Sequence, residues 1–137
     1  MMKKILLALS ACFLTIVLFS AFPTGKPQIP HKDNSTLLKL FPANVGSVLD
    51  NSCFRCHTTG SKNADAKKEV NFNEWEKYSI IKKVNKLKKM CETVTEGEMP
   101  PEKFLNIFPQ KKLTEEEVKV LCDWVKTESE SMVKSLN

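Results

Sequence analysis

Cys53-Phe54-Arg55-Cys56-His57 is the most informative stretch of the chain. Two thiols separated by two residues, with a histidine directly after, make the C-x-x-C-H signature of covalent haem attachment. The spacing has a chemical reason. Each thiol adds across one vinyl group of the porphyrin and becomes a thioether, and the two-residue spacer brings both sulfurs to one edge of the ring. The adjacent imidazole then lies under the iron as proximal ligand. This reading assigns Cys53 and Cys56 to the thioethers, His57 to the iron and one haem c to the chain. Two other chemistries use C-x-x-C. A thioredoxin-like pair needs a βαβ setting, and a structural zinc site needs a second pair of ligands; neither context is legible in the rest of the sequence.

A six-coordinate iron needs a second axial ligand, for which His31, Met90, Met99 and Met132 are candidates. Met99 is the preferred one. It sits in Gly97-Glu98-Met99-Pro100-Pro101, where a proline pair cannot continue a helix and stiffens the residue before it. Such a loop can present a thioether sulfur, a soft ligand that favours reduced iron. Met90 falls on a lysine-rich helix side, Met132 near the C-terminus and His31 in a linker.

Around the motif the apolar pattern is helical. A first helix is expected from about Asn44 to Cys56, with Val45, Val48, Leu49 and Phe54 on one side and Pro42 at its start. A second is expected from an Asn73 N-cap, with Glu74 and Glu76 in its first turn, to Gly97 as the stop. Its stripe is Trp75, Ile80, Ile81, Val84, Leu87, Cys91 and Val94. A third begins at Thr114, which forms a capping box with Glu117, and buries Val118, Leu121, Cys122 and Val125, with Trp124 beside them. Nothing reads as a strand. The expected fold is all-α, a cytochrome-c-like bundle of about three helices around the haem. Cys91 and Cys122 lie on facing stripes, where they either form a disulfide or pack as two buried thiols.

Outward from the bundle, residues 23–34 hold Pro23, Gly25, Pro27 and Pro30, a spacer composition. The domain is placed at residues 35–137. Lys3 and Lys4 precede an uncharged run from Ile5 to Phe22, about 18 residues and so between the lengths of a secretory core and of a membrane span. Residues 1–22 are read as a cleaved signal peptide or an uncleaved anchor, and Leu9-Ser10-Ala11-Cys12 offers a third option, lipidation of Cys12. Each puts the remainder outside the cytoplasm, in the periplasm, with a membrane tether through residues 5–22 in the second and third cases. The chain has 137 residues, 42% hydrophobic and 8% aromatic, with a formal charge of +5. That is one domain, and without an aromatic-interleaved basic stripe the charge does not read as nucleic-acid binding. Lys82, Lys83, Lys86, Lys88 and Lys89 crowd the second helix, either as a solvated face or as a docking patch for an acidic redox partner.

The order of these motifs resembles the haem-binding-domain family of short bacterial mono-haem c-type cytochromes. The resemblance runs from about Phe41 to Val125. It rests on Val48-Leu49-Asp50-Asn51-Ser52 leading into the cysteine motif, on Asn71-Phe72-Asn73-Glu74-Trp75, on Glu96-Gly97-Glu98-Met99-Pro100-Pro101, and on Leu113-Thr114-Glu115-Glu116-Glu117 leading to Asp123-Trp124. It implies a periplasmic mono-haem domain with Cys, Cys and His attachment, and Met99 matches the family's methionine-proline motif. After His57 the sequence departs: family members often carry tryptophan and tyrosine where Thr58 to Glu69 is polar and charged. The function expected is electron transfer with His57 and Met99 as axial ligands and redox proteins, some of them membrane-bound, as partners. The alternative is a haem-based sensor with an open or labile distal site. An enzyme is not expected, since a peroxidase needs distal acid–base groups and Glu98 alone is near.

Overall fold

A computed structural model describes residues 34–136; residues 1–33, which contain the expected signal or anchor segment, almost all of the linker and His31, lie outside them. Helix α1 (Ser35–Leu38) leads to α2 (Ala43–Ser52). A short α3 (Ala64–Glu69) and a 3₁₀ turn (Phe72–Lys77) follow, then the long α4 (Ile80–Thr95). After α5 (Glu102–Leu105) and a second 3₁₀ turn (Pro109–Lys111), α6 (Glu115–Lys134) completes the described chain. No strand occurs among the described residues, and the fold is an all-α bundle.

The three expected helices are α2, α4 and α6, with two changed boundaries. The first stops at Ser52 rather than Cys56. Both the Cys53 and the Phe54 amides donate to the Leu49 carbonyl, at 2.8 and 2.9 Å, so the winding loosens there. The long helix starts at Ile80, not after Asn73. Its cap is Ser79, whose hydroxyl accepts from the Lys82 amide, while Asn73 lies inside the 3₁₀ turn that the Asn71 side chain caps. Trp75 repeats with the helical stripe, but its indole is buried in a different layer, and extended Tyr78 separates the two. Ile81 is a third departure: it was expected on the buried face and is 67% exposed. The capping box of Thr114 and Glu117 forms as read, with the Thr114 hydroxyl accepting from the Glu117 amide at 3.2 Å.

Two packing units hold the bundle. One is aromatic. Phe41, in the turn between α1 and α2, meets Phe54, Phe72, Trp75 and Trp124 with ring centroids 5.7 to 6.4 Å apart. Edge-on and tilted contacts of this kind add to the apolar area they bury. The other is the α4–α6 pair, which buries Leu87 and Leu121 completely and is joined by a Cys91–Cys122 disulfide with Cα atoms 5.1 Å apart. Ser52, at the end of α2, donates from its buried hydroxyl to the Lys111 carbonyl at 2.9 Å and ties the second 3₁₀ turn to the core.

The disulfide spans 31 positions, so replacing both cysteines with serine should lower the unfolding free energy by about 3–4 kcal/mol on the chain-entropy account. Leu121→Ala should cost about 2–5 kcal/mol through cavity formation. Denaturant unfolding of the isolated domain residues against wild type measures both.

Candidate haem site

The end of α2 sets the site up. The Cys53 carbonyl accepts from the amides of both Cys56 and His57, at 3.1 and 3.0 Å, so Cys53 to His57 makes one helical turn. Residues four apart on such a turn share a side, and Cys53 and His57 both line a cavity of about 460 Å³, within the range of cofactor pockets. Cys56 is half-buried and is not part of that lining. Both cysteines carry free thiols. Burial, with Cys56 alongside, pushes the Cys53 thiol up to about 12, so it stays protonated.

The His57 ring is held by the backbone. Its Nδ1 lies 2.9 Å from the Ala66 carbonyl and 3.2 Å from that of Val70. Carbonyls only accept, so Nδ1 carries the proton and donates, and the lone pair resides on Nε2. That is the tautomer a metal-binding histidine needs, and a carbonyl behind the ring both orients it and raises its basicity. Burial holds the imidazole below its ordinary pKa, against the opposing pull of the Val70 and Ala66 carbonyls and of Glu69. That shift favours the neutral ring, the ligating form.

The two carbonyls come from the polar stretch after the motif. Asn63 caps α3 by accepting from the Ala66 amide at 3.0 Å, which turns the chain back under His57. The Phe72 amide then donates to the His57 carbonyl at 2.9 Å, and Asn73 accepts from the Thr59 amide at 2.8 Å. An N-cap asparagine followed by Asp65 was a readable helix start. The carbonyls themselves leave no trace in a sequence, because every residue has one.

Helix α4 and the loop that ends it line the same cavity. Gly97 has φ +73°, its amide donates to the Val94 carbonyl at 3.3 Å, and the Glu98 amide to that of Thr93 at 2.9 Å. This is a Schellman motif, and the Met99 amide shares the Thr93 carbonyl at 3.3 Å. Met99 is thus tied to the last turn of α4, half-buried and lining the cavity. So is Met90, on α4 itself. Met132 packs against the core and is not in the lining. Three of the lysines that the sequence grouped together, Lys82, Lys86 and Lys89, also line this space. Burial and neighbouring Lys82 push the Lys86 pKa down. Among the described residues no three His, Cys, Asp or Glu side chains are grouped so as to hold a bare metal ion.

A small helical domain with a cavity lined by a backbone-anchored imidazole, by two methionines and by apolar side chains has the chemistry of a haem pocket. The model of the haem-binding domain family matches residues 61–127. The match starts after His57, so it contains Met99 and the disulfide but not the C-x-x-C-H turn. No curated protein and no solved structure matches the chain. The residues present fit such a cofactor: His57 would hold the iron, Met99 or Met90 would offer sulfur, and Val70, Phe72 and Val94 would be apolar walls.

Gly97→Ala tests the loop that carries Met99. A Cβ there would meet nothing within 4 Å, so the cost is conformational alone, about 1–2 kcal/mol for a left-handed residue with a side chain. Chemical denaturation should show a loss of that size.

Proposed function

We propose that this chain is an exported mono-haem c-type cytochrome that carries electrons. The observation that carries the reading is the sharing of one cavity by Cys53, His57 and Met99, with His57 held in its iron-binding tautomer by the Ala66 and Val70 carbonyls. In attachment, Cys53 and Cys56 each add S–H across a vinyl double bond, sulfur to one carbon and hydrogen to the other, with no net redox change. Bound haem iron supplies one-electron redox chemistry. The work of the chain is to fix that iron and set its potential. His57 would hold the iron through Nε2 and Met99 would offer its thioether sulfur, both from side chains that line the one cavity. A site with both ligands in place would suit an electron carrier rather than a gas sensor or peroxidase. Export follows from Lys3, Lys4 and the apolar run from Ile5 to Phe22, which support a periplasmic address with the N-terminus as a cleavable signal or a tether. Partners would be redox proteins, soluble or membrane-bound.

Expressed with a cytochrome c maturation system, the protein should gain one haem mass that survives denaturation, and Cys53→Ala with Cys56→Ala should lose it. A wild-type protein without covalent haem overturns the proposal. Met99→Ala should lower the reduction potential and remove the weak near-infrared band of methionine-ligated ferric haem, while Met90→Ala leaves both in place. The reverse pattern assigns the distal position to Met90. A wild type that lacks the band and binds carbon monoxide in the reduced state favours the sensor instead.

A further inference from the structure

The charge inside the cavity is concentrated on one wall. Lys82, Lys86 and Lys89 follow one another along α4 at steps of four and three residues, which puts them on one helix face, and all three line the cavity. Among the described residues that line it, they are the only lysines or arginines, and Glu69 is the only carboxylate. The other two lysines of the cluster are engaged elsewhere: Lys83 lies over the Trp75 ring at 5.9 Å, and Lys88 pairs with Glu92 at 3.8 Å. Two of the cavity lysines are steered by their surroundings. The Lys86 ammonium donates to the Glu69 backbone carbonyl, and it and the Lys82 ammonium sit 5.3 and 4.5 Å from the Tyr78 ring centre. Each ammonium has three donors, so Lys86 keeps two for another acceptor.

Like charges one turn apart destabilise a helix, and a row of cations is a poor lining for a purely apolar ligand. An anion seated among them reverses the sign of that interaction. Haem has such a group. Its vinyl edge belongs with the cysteines, on the turn after α2, and its two propionates lie on the opposite edge of the ring, away from the thioethers. Resting on the haem reading above, we propose that Lys82, Lys86 and Lys89 form a carboxylate-binding row that receives the haem propionates and so fixes which edge of the porphyrin faces α4.

Resonance Raman spectroscopy of the haem-loaded protein tests this through the propionate bending band, which responds to hydrogen bonding at the carboxylates and not to general stability. The triple variant Lys82→Gln, Lys86→Gln and Lys89→Gln should shift the band. The double variant Lys83→Gln and Lys88→Gln, which removes like charges from the same helix outside the cavity, should leave it where it is in wild type. Glutamine removes the charge and keeps the helix propensity of the side chain. Should the triple variant fail to fold, the single variants Lys82→Gln and Lys86→Gln give the same comparison, and an experimental structure of the wild-type holoprotein should show propionate oxygens within about 4 Å, the ion-pair distance, of at least two of the three ammonium groups. A haem-loaded triple variant with an unshifted band, or equal shifts in the triple and double variants, overturns the lysine row and leaves the haem reading standing. A wild type that takes up no haem overturns both.

Discussion

A cavity of about 460 Å³ in a domain this small is the constraint the rest of the structure answers to. A short chain has little buried surface with which to hold the walls of such a pocket in place. Each is braced from behind. The α4–α6 pair has fully buried Leu87 and Leu121 and a covalent link between Cys91 and Cys122. The wall that carries Cys53 and His57 leans on Phe54 and Phe72, which are nearly inaccessible and meet at 5.2 Å in the aromatic cluster.

Polar bonds then set the chemistry of the surfaces those braces expose. The stretch from Thr58 to Asn73 has few apolar residues to bury, so it is held mainly by capping and backbone bonds: Asn63 to Ala66, Thr59 to Asn73, and Phe72 to His57. Its net effect is to aim two carbonyls at one imidazole nitrogen. A polar segment does this better than an apolar one would, because its backbone groups are paired locally and its side chains need no core. The Schellman turn at Gly97 plays the same part for Met99, which its hydrogen bonds bring back toward α4 and which packs on the core. The lysine row adds positive charge to a mixed lining, and its regular spacing belongs to α4 as a whole.

The sequence by itself determined the helical class, the C-x-x-C-H turn, the glycine stop before Met99 and the capping box at Thr114, because each depends on residues within a few positions of one another. Hydrophobic period, cap chemistry and ligand spacing are all local. What failed at the level of sequence was nonlocal. Trp75 and Ile81 fit the periodicity of the long helix, yet one is buried in the aromatic cluster before the helix begins and the other is exposed beside the cavity; only the packing of distant elements separates those fates. The pairing of Cys91 with Cys122 was undecided until two helices lay side by side. The carbonyls that select the His57 tautomer, the presence of Met90 beside Met99, and the division of five lysines into three that line the cavity and two that do not were decided by tertiary structure alone. They depend on where a helix face points, and a sequence states the face but not the direction.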